Sequence, residues 1–572
     1  MTRPLRTHRN ADLSVRFTAL AVRRVITLPN PIEQKEKKMN AKRIVLSMAM
    51  LFALLASACG AAATPSPAEP SRQDYYPGAP AATEPPYAAP IPTFSSSNES
   101  AANQPNAGVP SQKDGNEPYD MFFEDYGVNP SIDTEDDRLS TFALDVDTGS
   151  YTIMRNYLND GNMPPPDSVR VEEYVNFFNQ NYPNPPRHQA FGITMDGAPS
   201  PFTETERYQM LRIGIQGYQV PESERKDANL VFVIDVSGSM DMDNRLGLVK
   251  RSLELLVEQL DYRDTVAIVV YGTEARVVLE PTPGSDKDAI LSAIYSLRPE
   301  GVTNAEAGIR LGYRMAMREF KTDGINRVIL CSDGVANMGN TESEVILSEI
   351  RGHVEEGVTM TTIGFGMDNY NDTLMEQLAD NGDGFYAYVD DMREAKRLFI
   401  DNLTSTLQTI AMDAKVQVDF NPEDVMRYRL VGFENRAIAD EDFRDNSVDA
   451  GEIGAGHSVT ALYEVKLYPE AYGKIATVFL RWEDPDTRSV TELSQDFYAD
   501  QLARDFREAD IYFQRAVVVA EYAEILKQSY WAEDSSLNTV YREAMRIYDS
   551  MPRERDMEEF VDLVGRALQY YE

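Results

Sequence analysis

The stretch that most constrains this chain is residues 229–240, NLVFVIDVSGSM. Its apolar run, 230–234, shows no polar alternation, which is typical of a strand buried on both faces of a parallel sheet. Apolar residues recur at steps of three and four across residues 246–260, which predicts a helix. Asn244 lies just before this helix and can cap its N-terminus. The turn between strand and helix therefore lies where open α/β sheets place their ligands.

Asp235, Ser237 and Ser239 put one carboxylate and two hydroxyls on alternate residues of that turn. Hard oxygen donors of this kind suit Mg²⁺ or Mn²⁺ better than a soft metal. A motif this short also has a purely structural interpretation, since Asp and Ser side chains commonly accept hydrogen bonds from turn amides. The turn alone leaves both interpretations open.

Strand and helix patterns alternate across residues 226–411, as a doubly wound, Rossmann-like α/β domain requires. After the first strand, further strands are predicted at residues 265–271, 275–279, 327–331, 360–365 and 385–388. Further helices are predicted at residues 288–297, after the loop 298–308 as far as Phe320, and at residues 344–354, 372–379 and 392–410.

Two other loops of this domain carry suitable oxygens. Thr303 lies in a loop at a helix start, and Asp333 follows an apolar strand. Taken singly, these residues read as a helix cap and a turn residue. Together with Asp235, Ser237 and Ser239 they give five oxygen-bearing residues from three loops, a far more specific pattern for a metal site.

Residues 118–225 are predicted to form a flanking segment with a helix through residues 155–158 and strands at residues 191–195 and 209–216. Its Asp145, Asp147 and Ser150 superficially copy the hydroxyl turn. No later Thr and Asp loops remain to complete a second hard-metal site, so we interpret these three residues as unrelated to metal.

After the central domain, residues 412–504 change to short strands with turn signals, which indicates an antiparallel sheet or sandwich. The strands are predicted at residues 415–420, 427–434, 451–467 and 474–484. Residues 505–572 follow as three helices whose aromatic stripes are typical of core.

The two flanks are expected to meet. The first strand of a doubly wound domain begins, and its last helix ends, on the side opposite the metal loops, so residues 225 and 412 should be near neighbours. The strands at residues 191–195 and 209–216 are then predicted to share one sheet with those at residues 415–420 and 460–467. Each flank alone is short of strands for an independent sandwich, which favours one shared β-rich domain.

Residues 1–58 are predicted to be an upstream extension and a signal peptide, with Met39 as a second plausible start. The apolar run at residues 44–55 is too short to span a bilayer. The small residues before Cys59 resemble the bacterial lipoprotein box, although Ala56 stands where Leu is usual, which leaves cleavage by ordinary signal peptidase open. Lipidation of Cys59 would anchor the chain on the extracytoplasmic face of a membrane, and the Pro/Ala/Ser-rich residues 59–117 read as a disordered tether.

Composition and missing motifs exclude several functions. A formal net charge of −37 repels phosphate backbones, so nucleic acid is not an expected partner. The sequence has no P-loop, which argues against nucleotide binding, and no H-E-x-x-H or G-x-S-x-G motif. Cys331 lies in a predicted buried strand, where a thiol is usually inert. After Cys59 no apolar run approaches the roughly 20 residues of a spanning helix, which argues against a pore.

The five oxygen-bearing residues in three loops resemble a von Willebrand factor type A domain with an intact metal-ion-dependent adhesion site. The stretches STFALDVDTGSY, PPPDSVRVEEYVNFF, LRIGIQG and VDAGEIGAGHSVTALYE are similar to a family of bacterial lipoproteins that flank this domain with a dedicated N-terminal segment and a C-terminal region. The resemblance covers the chain from about Asp125 to its end.

This resemblance implies a role for each site residue. Ser237 and Ser239 would bind the ion through their hydroxyls, and Thr303 would bind it directly or through water. Asp235 and Asp333 would hold coordinated waters and fix the hydroxyls. Because few carboxylates touch such an ion, it keeps an open position that a partner's Asp or Glu can fill.

We therefore expect a non-enzymatic protein-binding lipoprotein of the cell envelope, for adhesion or complex scaffolding, that uses Mg²⁺, or alternatively Mn²⁺ or Ca²⁺. The resemblance to adhesion receptors also implies that movement of the helix at residues 392–410 transmits ligand binding to the flanking sheet. An accessory subunit of a membrane transport or assembly complex is the alternative, and an unrecognised hydrolase is a more distant one.

Overall fold

The computed structural model describes residues 119 and 121–570, except residues 204–207, 243–244, 335–339 and 368–369. The predicted signal peptide, Cys59, the tether and Asn244 lie outside the described residues. Within the described part, none of the helices combines the length and the apolar character that crossing a membrane requires.

The N-terminal flank contains the helix and the two longer strands that the sequence predicts, together with three short strands. Its elements are β1 (Met121–Phe122), β2 (Ile132–Asp133), β3 (Leu139–Ala143), α1 (Gly149–Asn159), α2 (Val171–Asn176), β4 (Phe191–Pro199) and β5 (Tyr208–Gly217).

The central domain follows the predicted alternation of strands and helices. Its elements are β6 (Ala228–Asp235), α3 (Leu246–Gln259), β7 (Thr265–Tyr271), β8 (Arg276–Pro283), α4 (Lys287–Ser296), α5 (Ala305–Arg318), β9 (Ile325–Ser332), α6 (Asn340–Glu355), β10 (Thr359–Phe365), β11 (Tyr370–Asn371), α7 (Asp372–Asp380) and β12 (Tyr386–Val389).

Six of these strands form one sheet in the order β12-β10-β9-β6-β7-β8, and only β8 pairs antiparallel with its neighbour. Every residue of β6 is buried, as its apolar run predicts. Phe232 packs in the core that contains α3, and Val233 packs in the core on the other face, which contains α5. The doubly wound α/β fold is therefore confirmed.

The end of the domain differs from the predicted single helix over residues 392–410. The chain forms α8 (Met392–Lys396), a π-helical turn (Arg397–Asp401) and α9 (Leu403–Leu407) before a strand begins at Thr409. The Asn402 N–H donates to the Arg397 carbonyl oxygen five residues earlier, at 2.9 Å. A π turn inserts one residue without removing the apolar repeat, so sequence periodicity does not reveal it.

The C-terminal flank contains six strands and three helices of eight residues or more. They are β13 (Thr409–Phe420), β14 (Val425–Val431), β15 (Gly451–Gly454), β16 (Ser458–Leu467), β17 (Lys474–Glu483), β18 (Val490–Tyr498), α10 (Ile511–Leu526), α11 (Leu537–Ser550) and α12 (Arg555–Tyr570). The predicted run at residues 451–467 is thus two strands, which turn at Gly456 with a φ of +83°.

The two flanks build a β-sandwich together. One sheet has the order β2-β14-β16-β5-β4, so strands from both sides of the central domain pair with one another in it. The predicted sharing is confirmed, but residues 415–420 do not join that sheet. They lie in β13, which pairs with β3, β15 and β17 in a second sheet. Ile213 from one sheet and Val416 from the other belong to one buried core. The core therefore lies between two packed sheets.

The ends of the central domain lie together where the chain enters and leaves it. The Lys226 N–H donates to Gln408 Oε1 at 3.1 Å, and the Gln408 carbonyl oxygen accepts a hydrogen bond from Ala455 at 2.8 Å. The domain is consequently an insertion in the β-sandwich.

The three C-terminal helices share a core with α1 and α2 of the N-terminal flank, so their aromatic stripes are core as predicted.

Buried ion pairs join the central domain to both flanks. Arg436, in the loop after β14, is one of the residues that contact all three regions. Its guanidinium lies 3.1 Å from Asp145 Oδ2, 2.8 Å from Glu376 Oε1 and 3.0 Å from Asp380 Oδ2. Glu376 and Asp380 belong to α7, and Asp145 precedes α1. Removal of this cation would leave buried carboxylates without a counter-charge, which is costly.

We therefore expect Arg436→Gln to lower the free energy of unfolding of the chain by about 3–5 kcal/mol. Urea unfolding followed by circular dichroism measures the change. The matched control is Arg444→Gln, because Arg444 is solvent-exposed and pairs with Glu492 at 2.8 Å. That exposed pair should contribute less than about 1 kcal/mol. Equal effects of the two substitutions would contradict a joining role for Arg436.

Candidate metal site

The hydroxyl turn follows β6 at the carboxyl edge of the central sheet. Asp235 is fully buried, and its Oδ1 accepts a hydrogen bond from the Ser237 N–H at 2.7 Å. Its Oδ2 accepts one from the Ser332 hydroxyl at 3.1 Å. The hydroxyl oxygens of Ser237 and Ser239 lie 3.0 Å apart, and Ser239 is exposed. The turn therefore places the hydroxyl of exposed Ser239 beside that of buried Ser237, next to a buried carboxylate.

The loop that carries Thr303 lies against this turn. The Gly238 N–H donates to the Gly301 carbonyl oxygen at 3.1 Å, and the Glu300 N–H donates to the Val236 carbonyl oxygen at 2.5 Å. Gly301 has a φ of +74°, and a Cβ there would lie 2.0 Å from Thr273 Oγ1. The positive φ and the contact with Thr273, in the loop after β7, therefore require glycine at position 301.

Thr303 is not the cap of the helix that follows it. The cap of α5 is Asn304, whose Oδ1 accepts a hydrogen bond from the Ala307 N–H at 3.1 Å. The capping interpretation of Thr303 is therefore wrong. The partly exposed Thr303 side chain has no capping role that would keep it from a ligand.

Asp333 follows β9, the strand that pairs with β6 on the side opposite β7. Its Oδ2 lies 2.5 Å from Arg245 Nη1. Burial raises the pKa of Asp333, while the Ser239 hydroxyl and the Arg245 guanidinium oppose that rise. Burial also raises the pKa of Asp235 to about 6, and the Asp333 charge adds to the effect. The structure thus brings the predicted residues to one edge of the sheet, where a cation would stabilise both ionised carboxylates.

These donors fit a hard divalent cation. They are hydroxyl and carboxylate oxygens, and Asp235 has no ion pair with any described residue. Ser237, Ser239 and Thr303 would hold the ion through their hydroxyls, with Asp235 and Asp333 fixing the hydroxyls. The ion would supply a Lewis-acidic position open to an oxygen ligand.

Arg245 is a residue of this site that the sequence analysis missed. It precedes α3, is only 3% exposed, and donates to the Ser239 carbonyl oxygen at 3.0 Å as well as to Asp333. It also donates to the Met367 carbonyl oxygen in the loop after β10. A Cβ at Gly366, whose φ is +82°, would lie 2.6 Å from Arg245 Cγ. The glycine that makes room for Arg245 is about 120 residues away in sequence, so no local pattern marks the contact.

Two segments of the site carry exposed apolar side chains. Met242, in the segment after the hydroxyl turn, is 55% exposed, and Val302, next to Thr303, is 68% exposed. Large apolar side chains this exposed on two of the site's loops are suited to contact with another protein.

Two further groups of carboxylates could approach one ion. Asp145, Asp147 and Glu376 have carboxylate oxygens within 4.8 Å of one another, but the Arg436 guanidinium already lies among them. The Ser150 hydroxyl donates instead to the Ser168 carbonyl oxygen at 2.5 Å. The second group is Asp383, Asp449 and Glu452, where burial raises the pKa of Asp383 to about 7.

Cys331 lies inside β9 and is fully buried, and burial raises the pKa of its thiol far above the usual value. A thiol in this state is a poor nucleophile, which agrees with the structural role predicted for it.

Comparison with protein families matches three consecutive parts of the chain. Residues 117–212 match a family described as von Willebrand factor, and residues 229–401 match the von Willebrand factor type A domain. Residues 405–569 match the C-terminal region of the uncharacterized protein YfbK.

Two curated relatives illustrate the range of similarity. The uncharacterized protein YfbK of Escherichia coli K12 is 40% identical over 352 residues, which cover 60% of this chain and 61% of YfbK. The human inter-alpha-trypsin inhibitor heavy chain H3 is 26% identical over 215 residues, 36% of this chain and 22% of the relative. The chain thus spans less than two thirds of the length of either relative.

Among solved structures, the von Willebrand factor type A protein from Catenulispora acidiphila aligns at a TM-score of 0.40 with 16% identity, over 67% of this chain and 90% of its own. The ArnB paralog VWA2 from Sulfolobus acidocaldarius aligns at a TM-score of 0.33 with 16% identity, over 66% of this chain and 97% of its own.

We expect Mg²⁺ to raise the melting temperature of the full chain, because an ion that binds only the folded state stabilises it by mass action. At one hundred times the dissociation constant the rise should be on the order of 5 °C. The double variant Asp235→Ala, Ser237→Ala should lose the rise. Asp241→Ala, which removes an exposed carboxylate of the same turn, should keep it. A full rise in the double variant would mean that the ion binds elsewhere.

Proposed function

We propose that this chain, a von Willebrand factor type A domain protein of the YfbK family, is a non-enzymatic lipoprotein that binds another protein through a divalent metal ion. The observation that carries the proposal is the convergence of three loops at the carboxyl edge of the sheet. There Ser237 and Ser239 have hydroxyl oxygens 3.0 Å apart, and Ser239 is exposed to a partner.

The partner is proposed to present an Asp or Glu side chain. Mg²⁺ is the ion we favour, because the donors are hard oxygens and few in number, with Mn²⁺ and Ca²⁺ as alternatives. Asp235 and Asp333 both hydrogen-bond within the protein, so their role is to fix the site. The remaining position would go to the partner's carboxylate.

The exposed apolar side chains near the site in sequence support a protein partner rather than a small anion. Met242 and Val302 offer exposed apolar surface on two of the loops that bring the hydroxyls together. A carboxylate flanked by an apolar side chain would contact both the ion and this surface. Removal of such apolar area from water would favour binding.

The chain is proposed to act on the extracytoplasmic face of a bacterial membrane, anchored through lipidated Cys59. The support is the sequence order of basic residues, a short apolar run and small residues before that cysteine. Residues 59–117 would connect the anchor to the binding domain.

Affinity capture tests the proposed binding activity. The full chain, immobilised and incubated with detergent-solubilised membranes of the cells that make it, should retain a partner in Mg²⁺ and release it in EDTA. The double variant Asp235→Ala, Ser237→Ala should retain none, whereas Asp241→Ala should behave as the original chain. A partner that stays bound in EDTA and to the double variant would contradict metal-dependent binding.

A separate prediction concerns the anchor. Cys59→Ser should move the protein from the membrane pellet to the extracytoplasmic soluble fraction, because the lipid chains attach through that thiol. Cell fractionation at high salt measures the distribution, and Cys331→Ser serves as the control with the other cysteine. Membrane retention of the Cys59→Ser variant would show that something else anchors the chain.

A further inference from the structure

Arg245 is a buried cation placed inside the candidate metal site. Its guanidinium contacts Asp333 at 2.5 Å and the Ser239 carbonyl oxygen at 3.0 Å, and it also reaches the Met367 carbonyl oxygen. Three loops, after β6, β9 and β10, are therefore held by one side chain. The planar fork of an arginine can serve several acceptors at fixed angles, which a lysine cannot.

The two buried carboxylates of the site are compensated differently. Asp333 has Arg245 as a counter-charge, whereas Asp235 accepts hydrogen bonds from Ser237 and Ser332 and has no ion pair in the part of the chain described. With both carboxylates ionised, these three residues carry one net negative charge. A bound divalent ion would then leave one net positive charge, and a single carboxylate would neutralise it.

We propose that Arg245 is a positioning residue that sets the charge of the occupied metal site, so that the site selects a ligand with one carboxylate. The inference rests on the proposed function, because it assumes that the ion binds at this edge of the sheet. Arg245 touches Asp333 and the backbone of Ser239 rather than the ligand. Its effect therefore reaches the ligand through the metal.

Two opposite effects follow from this arrangement. Without the Arg245 charge, the carboxylates attract a divalent ion more strongly, so metal affinity should rise. The occupied site would then be neutral, so its attraction for a carboxylate should fall. A residue that only supports the fold would weaken both when removed, which distinguishes the two roles.

Mn²⁺ alone is the probe for the metal, and sodium acetate is the probe for the carboxylate. Electron paramagnetic resonance of free Mn²⁺ gives the dissociation constant of the full chain, and water-proton relaxation reports acetate that displaces Mn²⁺-bound water. In the original chain, acetate should lower the relaxation enhancement, and sodium chloride at equal ionic strength should not. In Arg245→Met, Mn²⁺ should bind about tenfold more tightly, and the acetate effect should be lost.

Arg245→Lys provides the matched control, because it keeps the charge and loses the fork. It should restore the acetate effect and bring the Mn²⁺ affinity back to within about threefold of the original chain. If circular dichroism shows that Arg245→Met is unfolded, Arg245→Lys tests the proposal in its place. A folded Arg245→Lys without an acetate effect overturns the proposal. Weaker Mn²⁺ binding by a folded Arg245→Met overturns it as well.

The metal site itself is tested separately with the double variant Asp235→Ala, Ser237→Ala. If that variant binds Mn²⁺ as tightly as the original chain, the proposed site is wrong, whatever Arg245 does. If it loses Mn²⁺ while Arg245→Met also binds Mn²⁺ more weakly, the site stands and only the role of Arg245 fails.

Discussion

The parallel pairing of β6 with β7 on one side and β9 on the other is the constraint on which the rest of the structure depends. Parallel neighbours run in the same direction, so the chain must return through crossover helices and the loops after the strands open at one edge. The helices α3 and α5 bury the two faces of β6. Asp333 therefore joins the hydroxyl turn although almost one hundred residues separate them.

The edge of this sheet explains why the N-terminal flank belongs to the same packed unit. The Tyr386 N–H, on edge strand β12, donates to Asp147 Oδ1 at 3.1 Å, and the Thr152 hydroxyl donates to the Tyr388 carbonyl oxygen at 2.9 Å. An uncovered strand edge would be free to pair with another chain. Asp147 thus satisfies an edge amide, although its sequence context resembles a metal-binding turn. The same flank also contributes β3, β4 and β5 to the sandwich.

Sequence patterns predicted the elements that depend on local periodicity and missed those that depend on distant contacts. The buried run of β6, the order of strands and helices and the site residues in three loops followed from apolar spacing and residue chemistry. The break at Arg397–Asp401 was missed because a π turn preserves the apolar repeat. Residues 415–420 were assigned to the wrong sheet because the pairing of β13 with β3 spans more than 260 residues of chain. Arg245 was missed for a similar reason, since its burial depends on Gly366.

Arg436 and Arg245 both contact buried carboxylates, but the surroundings of the two arginines differ in exposure and in the type of oxygen donor. Arg436 is surrounded by four carboxylates, those of Asp145, Asp147, Glu376 and Asp380, and no hydroxyl takes part in these ion pairs. At the edge of the sheet, Arg245 pairs with Asp333 alone, and the exposed Ser239 hydroxyl lies beside that of Ser237. Because Arg436 pairs with all four of these carboxylates, the cluster forms a rigid contact between the central domain and the flanks. An arginine that leaves hydroxyls and one carboxylate uncompensated gives a site to which a cation and then a ligand can be added.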